Sequence, residues 1–225
     1  MKSELIKEFA LKAGAHMCGI TGVEKFADAP QGFHPKDVFS QCKSVVVFIK
    51  QMPIDAILAE NPVPYTHTAY KMYEEIDRIA MELCQFFQSS NVKAALIPAD
   101  VPYLSWDQEN MHGRGIISLK HAAVLAGLGI LGKNTILINE KLGNMVYIGA
   151  VLIDAEVDSD PIVKGFNCPP SCHKCLDACP QQAMNGITVN QKLCREKSFF
   201  KAGRGFDLYN CNECRKVCLY RTGRK

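Results

Sequence analysis

Eight of the eleven cysteines lie at or beyond residue 168, and their spacing is that of a ligand set: Cys168-x3-Cys172-x2-Cys175-x3-Cys179-Pro180, then Cys194, then Cys211-x2-Cys214-x3-Cys218. A [4Fe-4S] cluster takes four thiolates from short, sharply folded loops, and the run C-x2-C-x2-C-x3-C-P gives three cysteines to one cluster and its fourth to another. Eight cysteines divide into two such sets. By that crossing, Cys168, Cys172 and Cys175 take Cys218 as their fourth partner, and Cys179 joins Cys194, Cys211 and Cys214. Zinc favours paired C-x2-4-C knuckles closed by a second pair, and disulfides need an oxidising compartment. Residues 1–10 are charged and helix-like with no apolar leader core, so the chain reads as cytoplasmic. The cysteine run departs from the pattern by one residue in Cys168-Pro169-Pro170-Ser171-Cys172, where the two prolines suit a stiff loop.

Cys18, Cys42 and Cys84 stand singly in apolar or helical surroundings and read as small buried hydrophobes. A second motif, Gly127-Leu-Gly129-Ile-Leu-Gly132-Lys133-Asn134-Thr135, fits G-x-G-x-x-G and nearly fits G-x4-G-K-[ST]. Both nucleotide motifs lie between a strand and a helix N-terminus, whose free N–H groups receive phosphate. Here a helical pattern precedes the glycines and a strand pattern follows, so the motif reads as a tight turn, or as a turn on which a flat cofactor rests.

The elements that must position these residues fit in 225 residues as one substantial domain and a small one. Residues 3–13 read as an amphipathic helix, followed by a Gly/Pro-rich loop. Residues 43–49 (KSVVVFI) read as a strand covered on both faces and 92–97 as a second strand, with a long helix over 68–88 between them. A further helix is predicted over 116–125, then strands over 135–139 and 145–154 joined as a hairpin. Residues 158–165 are polar and precede the first cluster cysteine, which places the boundary between an α/β domain at 1–158 and a cysteine module at 159–225. No apolar stretch approaches the roughly 18 residues a membrane helix requires, so no membrane partner is expected. The net charge of +3 conceals an asymmetry: from Lys192 onward Lys and Arg number ten, and Asp and Glu three. Such a surface neutralises cluster charge, docks an acidic electron donor or touches RNA phosphate. The basic tail Arg221, Arg224 and Lys225 reads as solvated.

AGLGILGKNTILIN, LGNMVYIGAVLIDAEV and C-x2-C-LDACP, with the opening LIKEFALKAGAHMCGIT and the strand KSVVVFI, resemble the epoxyqueuosine reductase family and, more distantly, the reductive dehalogenases. The resemblance implies a nitroreductase-like, corrinoid-binding α/β domain followed by a ferredoxin-like double [4Fe-4S] module that passes electrons to cobalt. It also puts Gly129, Gly132, Lys133, Asn134 and Thr135 near a cobalamin. At the position of the family's proton-donating acid this chain carries Gly113, so Asp107, Glu109 or His112 would have to take over that role. The chain ends at Lys225 without the helical-repeat extension with which many family members grip tRNA, which marks it as a short form.

These features predict an iron–sulfur redox protein, a corrinoid-dependent reductase fed by a ferredoxin or flavodoxin. The alternative is a non-catalytic electron carrier that activates another corrinoid protein. A tRNA substrate is a third reading.

Overall fold

The apolar run at 43–49 does become a strand covered on both faces, at the centre of the fold. The computed structural model describes residues 1–224, so Lys225 of the basic tail lies outside them. The first part of the chain forms α1 (Ser3–Lys12), β1 (Met17–Gly22), α2 (Pro35–Val38), β2 (Ser44–Gln51), α3 (Pro62–Ser89) and β3 (Ala94–Ile97). A small hairpin of β4 (Ser105–Asp107) and β5 (His112–Arg114) follows, then α4 (Leu119–Leu125), β6 (Ile130–Leu131), β7 (Leu137–Ile138) and β8 (Val146–Ile153). The cysteine-rich part holds α5 (Lys174–Asp177), α6 (Gln191–Ser198), β9 (Phe199–Lys201), β10 (Asp207–Tyr209) and α7 (Glu213–Lys216). Among the described residues no helix is long and apolar enough to cross a membrane.

The main sheet has the order β1-β2-β8-β3, with every neighbouring pair antiparallel. Alternation along β2 sends Val46 and Phe48 into one core with Ile6 and Ala10 of α1 and Ile76, Ile79 and Leu83 of α3. Val45, Val47 and Ile49 enter the opposite core with Ala122 and Ala123 of α4. Each such side chain contributes about 1.5–3 kcal/mol on burial, so a strand with helices on both faces needs no polar position.

Helix α3 begins six residues earlier than its apolar periodicity predicts, at Pro62 instead of residue 68. Pro62 and Pro64 sit in the first turn, where a missing N–H costs nothing, and Asn61 Oδ1 accepts the Val63 N–H (2.9 Å) as a cap. The Gly/Pro-rich loop predicted after α1 contains β1, which pairs with β2 from Met17↔Ile49 to Gly22↔Ser44. The expected hairpin of 135–139 with 145–154 does not form. Leu137–Ile138 pairs instead with Ile130–Leu131 across the glycine turn, because both edges of β8 are taken by β2 and β3.

The polar segment at 158–165 is tied down along the outer edge of β1. Asp160 accepts the Ile20 N–H (2.8 Å) and pairs with Lys7, and Ser159 Oγ accepts the Gly22 N–H (2.8 Å). This covers an edge strand that would otherwise expose unpaired backbone groups. Arg224 is exposed, as expected of the tail, while its backbone N–H donates to the Glu140 carbonyl (2.7 Å) and its guanidinium pairs at the surface with the Glu140 carboxylate (3.2 Å).

Candidate functional site

The fold gathers cysteines from distant parts of the chain. Cys168, Cys172, Cys175 and Cys218 line one small cavity together with Lys133, Asn134 and Ile138. Burial pushes the Cys175 thiol up, and the nearby Cys218, Cys168 and Cys172 push it further. Burial likewise raises Cys218, with Cys168 and Cys172 adding to the rise. In the remaining set burial raises Cys194, with Cys179 and Cys211 adding. Cys214 is pushed up to about 11 by burial, against the pull of Arg215 and with Cys194 and Cys211 adding. Thiols that disfavour one another's ionisation stand close together, and a bound cation is what turns such a group into thiolates. Among the described residues no three His, Cys, Asp or Glu side chains converge on a point that could hold one metal ion. Four sulfur donors spread around a cavity fit a larger iron–sulfur cluster held at its corners.

Short helices and side-chain clamps hold these loops. Cys175 lies on α5, Cys194 on α6 and Cys214 on α7. The Ala183 N–H donates to Cys179 Sγ (3.3 Å). Lys133 Nζ donates to three carbonyls of the Cys168–Cys172 loop, those of Pro169 (3.3 Å), Pro170 (2.8 Å) and Cys172 (2.9 Å). Asn134 Nδ2 donates to the Cys214 carbonyl (3.2 Å), so two adjacent residues of the glycine turn grip both cysteine sets. The wholly buried Asn144 donates its side-chain amide to the Arg215 carbonyl (3.3 Å), and its Oδ1 is buried without a partner among the described residues.

The close approach expected at the glycine turn is to the chain's own backbone. Gly127 has φ +72° and a Cβ there would lie 2.3 Å from the Pro161 carbonyl oxygen, while one on Gly129 would lie 2.3 Å from that of Ile138. A Cβ on Gly132 would meet Ile138 Cδ1 at 2.6 Å and Asn134 Oδ1 at 2.7 Å. The carbonyl of Thr135 accepts from Lys120 Nζ (2.8 Å). The turn therefore serves as a joint between the sheet and the cysteine loops, and none of its five predicted cofactor residues lines the large cleft nearby.

That cleft has a volume of about 1100 Å³, beyond the roughly 300–1,000 Å³ of ordinary small-molecule pockets. Cys194, Cys211 and Cys214 form part of its wall. Elsewhere it is lined by Tyr65, Tyr73, Tyr147, Tyr209 and Phe199, by the cations Lys120, Arg195 and Arg215, and by Asp100. Burial pushes Tyr73, Tyr147 and Tyr209 well above the usual phenol range. Burial also pulls Lys120 down, helped by Arg215.

Of the three predicted acids, the β4–β5 hairpin brings only His112 to the cleft, next to Gly113. Glu109 is exposed in the hairpin turn, and the exposed Asp107 carboxylate is occupied by the Asn110 N–H (3.0 Å) and side-chain amide (2.8 Å), which hold its pKa below the ordinary value. Asp100, the tyrosines, Lys120 and Arg215 were missed because they come from α3, α4, α7, β8, β10 and the loop after β3, and no local spacing links them. Cys42 is fully buried with its thiol pushed up to about 11, and burial pushes Cys18 up to about 12 and Cys84 up, as suits unreactive packing residues.

This mixed α/β fold, an antiparallel sheet with helices on both faces and a cysteine-rich part beside an aromatic cleft, is the one shared by epoxyqueuosine reductases and reductive dehalogenases. No family model matches the chain. It is 32% identical over 141 residues to the epoxyqueuosine reductase of Staphylococcus aureus, a match covering 58% of this chain and 36% of that protein. It is also 32% identical over 216 residues to the tetrachloroethene reductive dehalogenase of Desulfitobacterium hafniense, covering 88% of this chain and 34% of that protein. The chain thus spans about a third of the length of these curated relatives. Among solved structures, epoxyqueuosine reductase from Streptococcus thermophilus superposes with a TM-score of 0.68 at 19% identity, over 100% of this chain and 68% of that one. A catabolic reductive dehalogenase in complex with 3-bromo-4-hydroxybenzoic acid gives 0.74 at 17% identity, over 99% of this chain and 32% of that one. At these identities the superpositions establish the fold alone.

Proposed function

We propose that this chain is an iron–sulfur reductase of the epoxyqueuosine reductase type. Cys168, Cys172, Cys175 and Cys218 hold one [4Fe-4S] cluster, Cys179, Cys194, Cys211 and Cys214 hold the second, and the large cleft receives a corrinoid together with the substrate. When bound, these groups supply single electrons at low potential and cobalt-centred reduction. The protein's own contribution is to hold the thiols, to wall the cleft with tyrosines that exclude water, and to offer Lys120 and Arg215 to anionic groups of a ligand. The turn of Gly129, Gly132, Lys133, Asn134 and Thr135 supports both cysteine sets. A ferredoxin or flavodoxin is the proposed electron donor. One epoxyqueuosine reductase of this fold has been solved with a modified tRNA stem loop, so epoxyqueuosine, in tRNA or free, is the first substrate to try.

The observation that carries this reading is that three cysteines of one set form part of the wall of a cleft of about 1100 Å³. A protein that only passes electrons between partners, the alternative reading, has no use for so large a cavity beside its cluster. Anaerobically reconstituted protein should carry about eight irons per chain, bind cobalamin, and lose about half its iron in Cys218→Ser despite the distance of that residue from Cys168–Cys175 in the chain. Stoichiometric zinc with little iron would refute the cluster assignment. Full iron without cobalamin binding would favour the carrier.

A further inference from the structure

Among the described residues, the cleft whose wall includes Cys194, Cys211 and Cys214 is lined by a single carboxyl group, that of Asp100. Besides those three thiols, the other ionisable side chains lining it are the cations or imidazoles of His112, Arg114, Lys120, His121, Arg195 and Arg215, and tyrosines. Asp100 follows β3 on a backbone pinned to α3, where the Ala99 N–H donates to Asp77 Oδ1 (2.9 Å). Its carboxyl is half-buried. The charged groups facing it are Arg195 of α6 and Asp77 of α3, and Tyr70, Tyr73, Tyr103, Tyr147 and Tyr209 feel its charge in turn. No hydrogen bond contributes to its titration.

We propose that Asp100 is the proton donor of this cleft, the role for which Gly113 has no side chain. The inference rests on the reductase reading above. With an epoxide as substrate, two equivalents of an external low-potential one-electron reductant are oxidised and a C–O bond breaks as the substrate takes up the two electrons; the Asp100 O–H bond breaks and a new O–H bond forms at the released oxygen, and the second proton of the two-electron reduction comes from solvent. The carboxylate then takes a proton back from solvent. Burial raises the Asp100 pKa from the ordinary aspartate value, Arg195 opposing and Asp77 adding, so the acid form persists to higher pH than on an exposed aspartate. The competing carboxyl, ammonium and phenol groups are poorly placed, occupied or poorer acids, while His112 also lines the cleft. Asp107 and Glu109 stand in solvent, Lys120 is bonded to the Thr135 carbonyl (2.8 Å), and burial tightens the hold of Tyr73, Tyr147 and Tyr209 on their protons.

The test uses the full chain, reconstituted anaerobically with iron, sulfide and cobalamin, reduced with titanium(III) citrate and given free epoxyqueuosine in a single turnover. Asp100→Asn should slow product formation by about 10²- to 10⁴-fold, with iron content and cobalamin binding unchanged. Asp100→Glu should recover part of the rate, and Asp107→Asn should keep all of it. The wild-type rate should fall as pH rises through the raised carboxyl pKa, along an arm that Asp100→Asn lacks. Independently of any substrate, infrared difference spectra of wild type minus Asp100→Asn should resolve a protonated carboxyl band that titrates above the ordinary aspartate range. Absence of that band overturns the assignment. So does a wild-type rate in Asp100→Asn with normal cofactor content, and loss of rate in His112→Ala alone would move the role to His112. A wild type that binds both cofactors and reduces neither free epoxyqueuosine nor the tRNA-borne form counts against the reductase reading and removes this inference with it.

Discussion

Lys133 uses all three of its ammonium protons on carbonyls of the loop between Cys168 and Cys172. Hydrogen bonds from a charged donor contribute about 1.5–3 kcal/mol each, enough to fix a loop whose two prolines leave it few backbone donors of its own. The extra residue in that loop is accommodated by this clamp. Lys133→Met should therefore cost about half the iron, the half held by Cys168, Cys172, Cys175 and Cys218, while the second cluster's electron paramagnetic resonance signal survives. Full iron retention would show that the cysteines order the loop unaided. The cysteine spacing was legible in the sequence because ligand loops are local, and Cys168, Cys172, Cys175 and Cys218 line one small cavity. The purpose of Gly132-Lys133-Asn134 was not, since a lysine beside glycines reads equally well as an anion ligand until its three carbonyl partners, some 36 to 39 residues away, are seen.

At the scale of elements, the β4–β5 hairpin occupies the place where the resemblance puts an acid-bearing loop. It lies against α6, where Arg195 stacks over the Trp106 ring at 5.2 Å and over that of Phe199 at 5.2 Å, and Gln191 exchanges hydrogen bonds with the Gly113 backbone (3.3 and 3.4 Å). A Cβ on Gly113 would come 3.2 Å from the Trp106 ring, a tight contact that the exposed indole relieves by moving a few tenths of an ångström. Gly113→Asp should then shift Trp106 and disturb its stack with Arg195, changing stability by no more than about 0.5 kcal/mol and leaving the rate of epoxyqueuosine reduction no higher than wild type. A gain of activity in that variant, with an unchanged melting temperature, would mean that the hairpin moves freely and that the acid position is merely empty. The long apolar elements, β2 and α3, could be read from the sequence because their periodicities are set by cores on known faces. The partners of β1, β6 and β7 could not be read, because pairing depends on which sheet edges remain open, and that is decided far away in the chain.

For the whole molecule, the decisive feature is how thoroughly the α/β part and the cysteine part are tied together. The Asn144 N–H donates to the Tyr220 carbonyl (3.2 Å), Arg215 to the Asn144 carbonyl (2.6 Å), Tyr70 to the Asp207 carbonyl (2.8 Å) and the Tyr209 N–H to Thr66 Oγ1 (2.9 Å). With Lys133, Asn134 and Asp160 these ties engage α3, the glycine turn, the β7–β8 connection and β1, so each cysteine set is held by groups supplied from before residue 158. A boundary in the residues around 158–165 was inferred from their polarity, yet polarity there serves to cover an edge strand. If the two parts form one cooperative unit, unfolding of the reconstituted protein in guanidinium under anaerobic conditions should give coincident transitions by far-ultraviolet circular dichroism and by loss of cluster absorbance. Asp160→Asn, which weakens a tie on the α/β side, should move both midpoints down together by the same amount. Cluster loss at clearly lower denaturant than the loss of helix signal, or a shift in one midpoint only, would show instead that the cysteine part unfolds alone, taking its wall of the cleft with it while the α/β part outlives it.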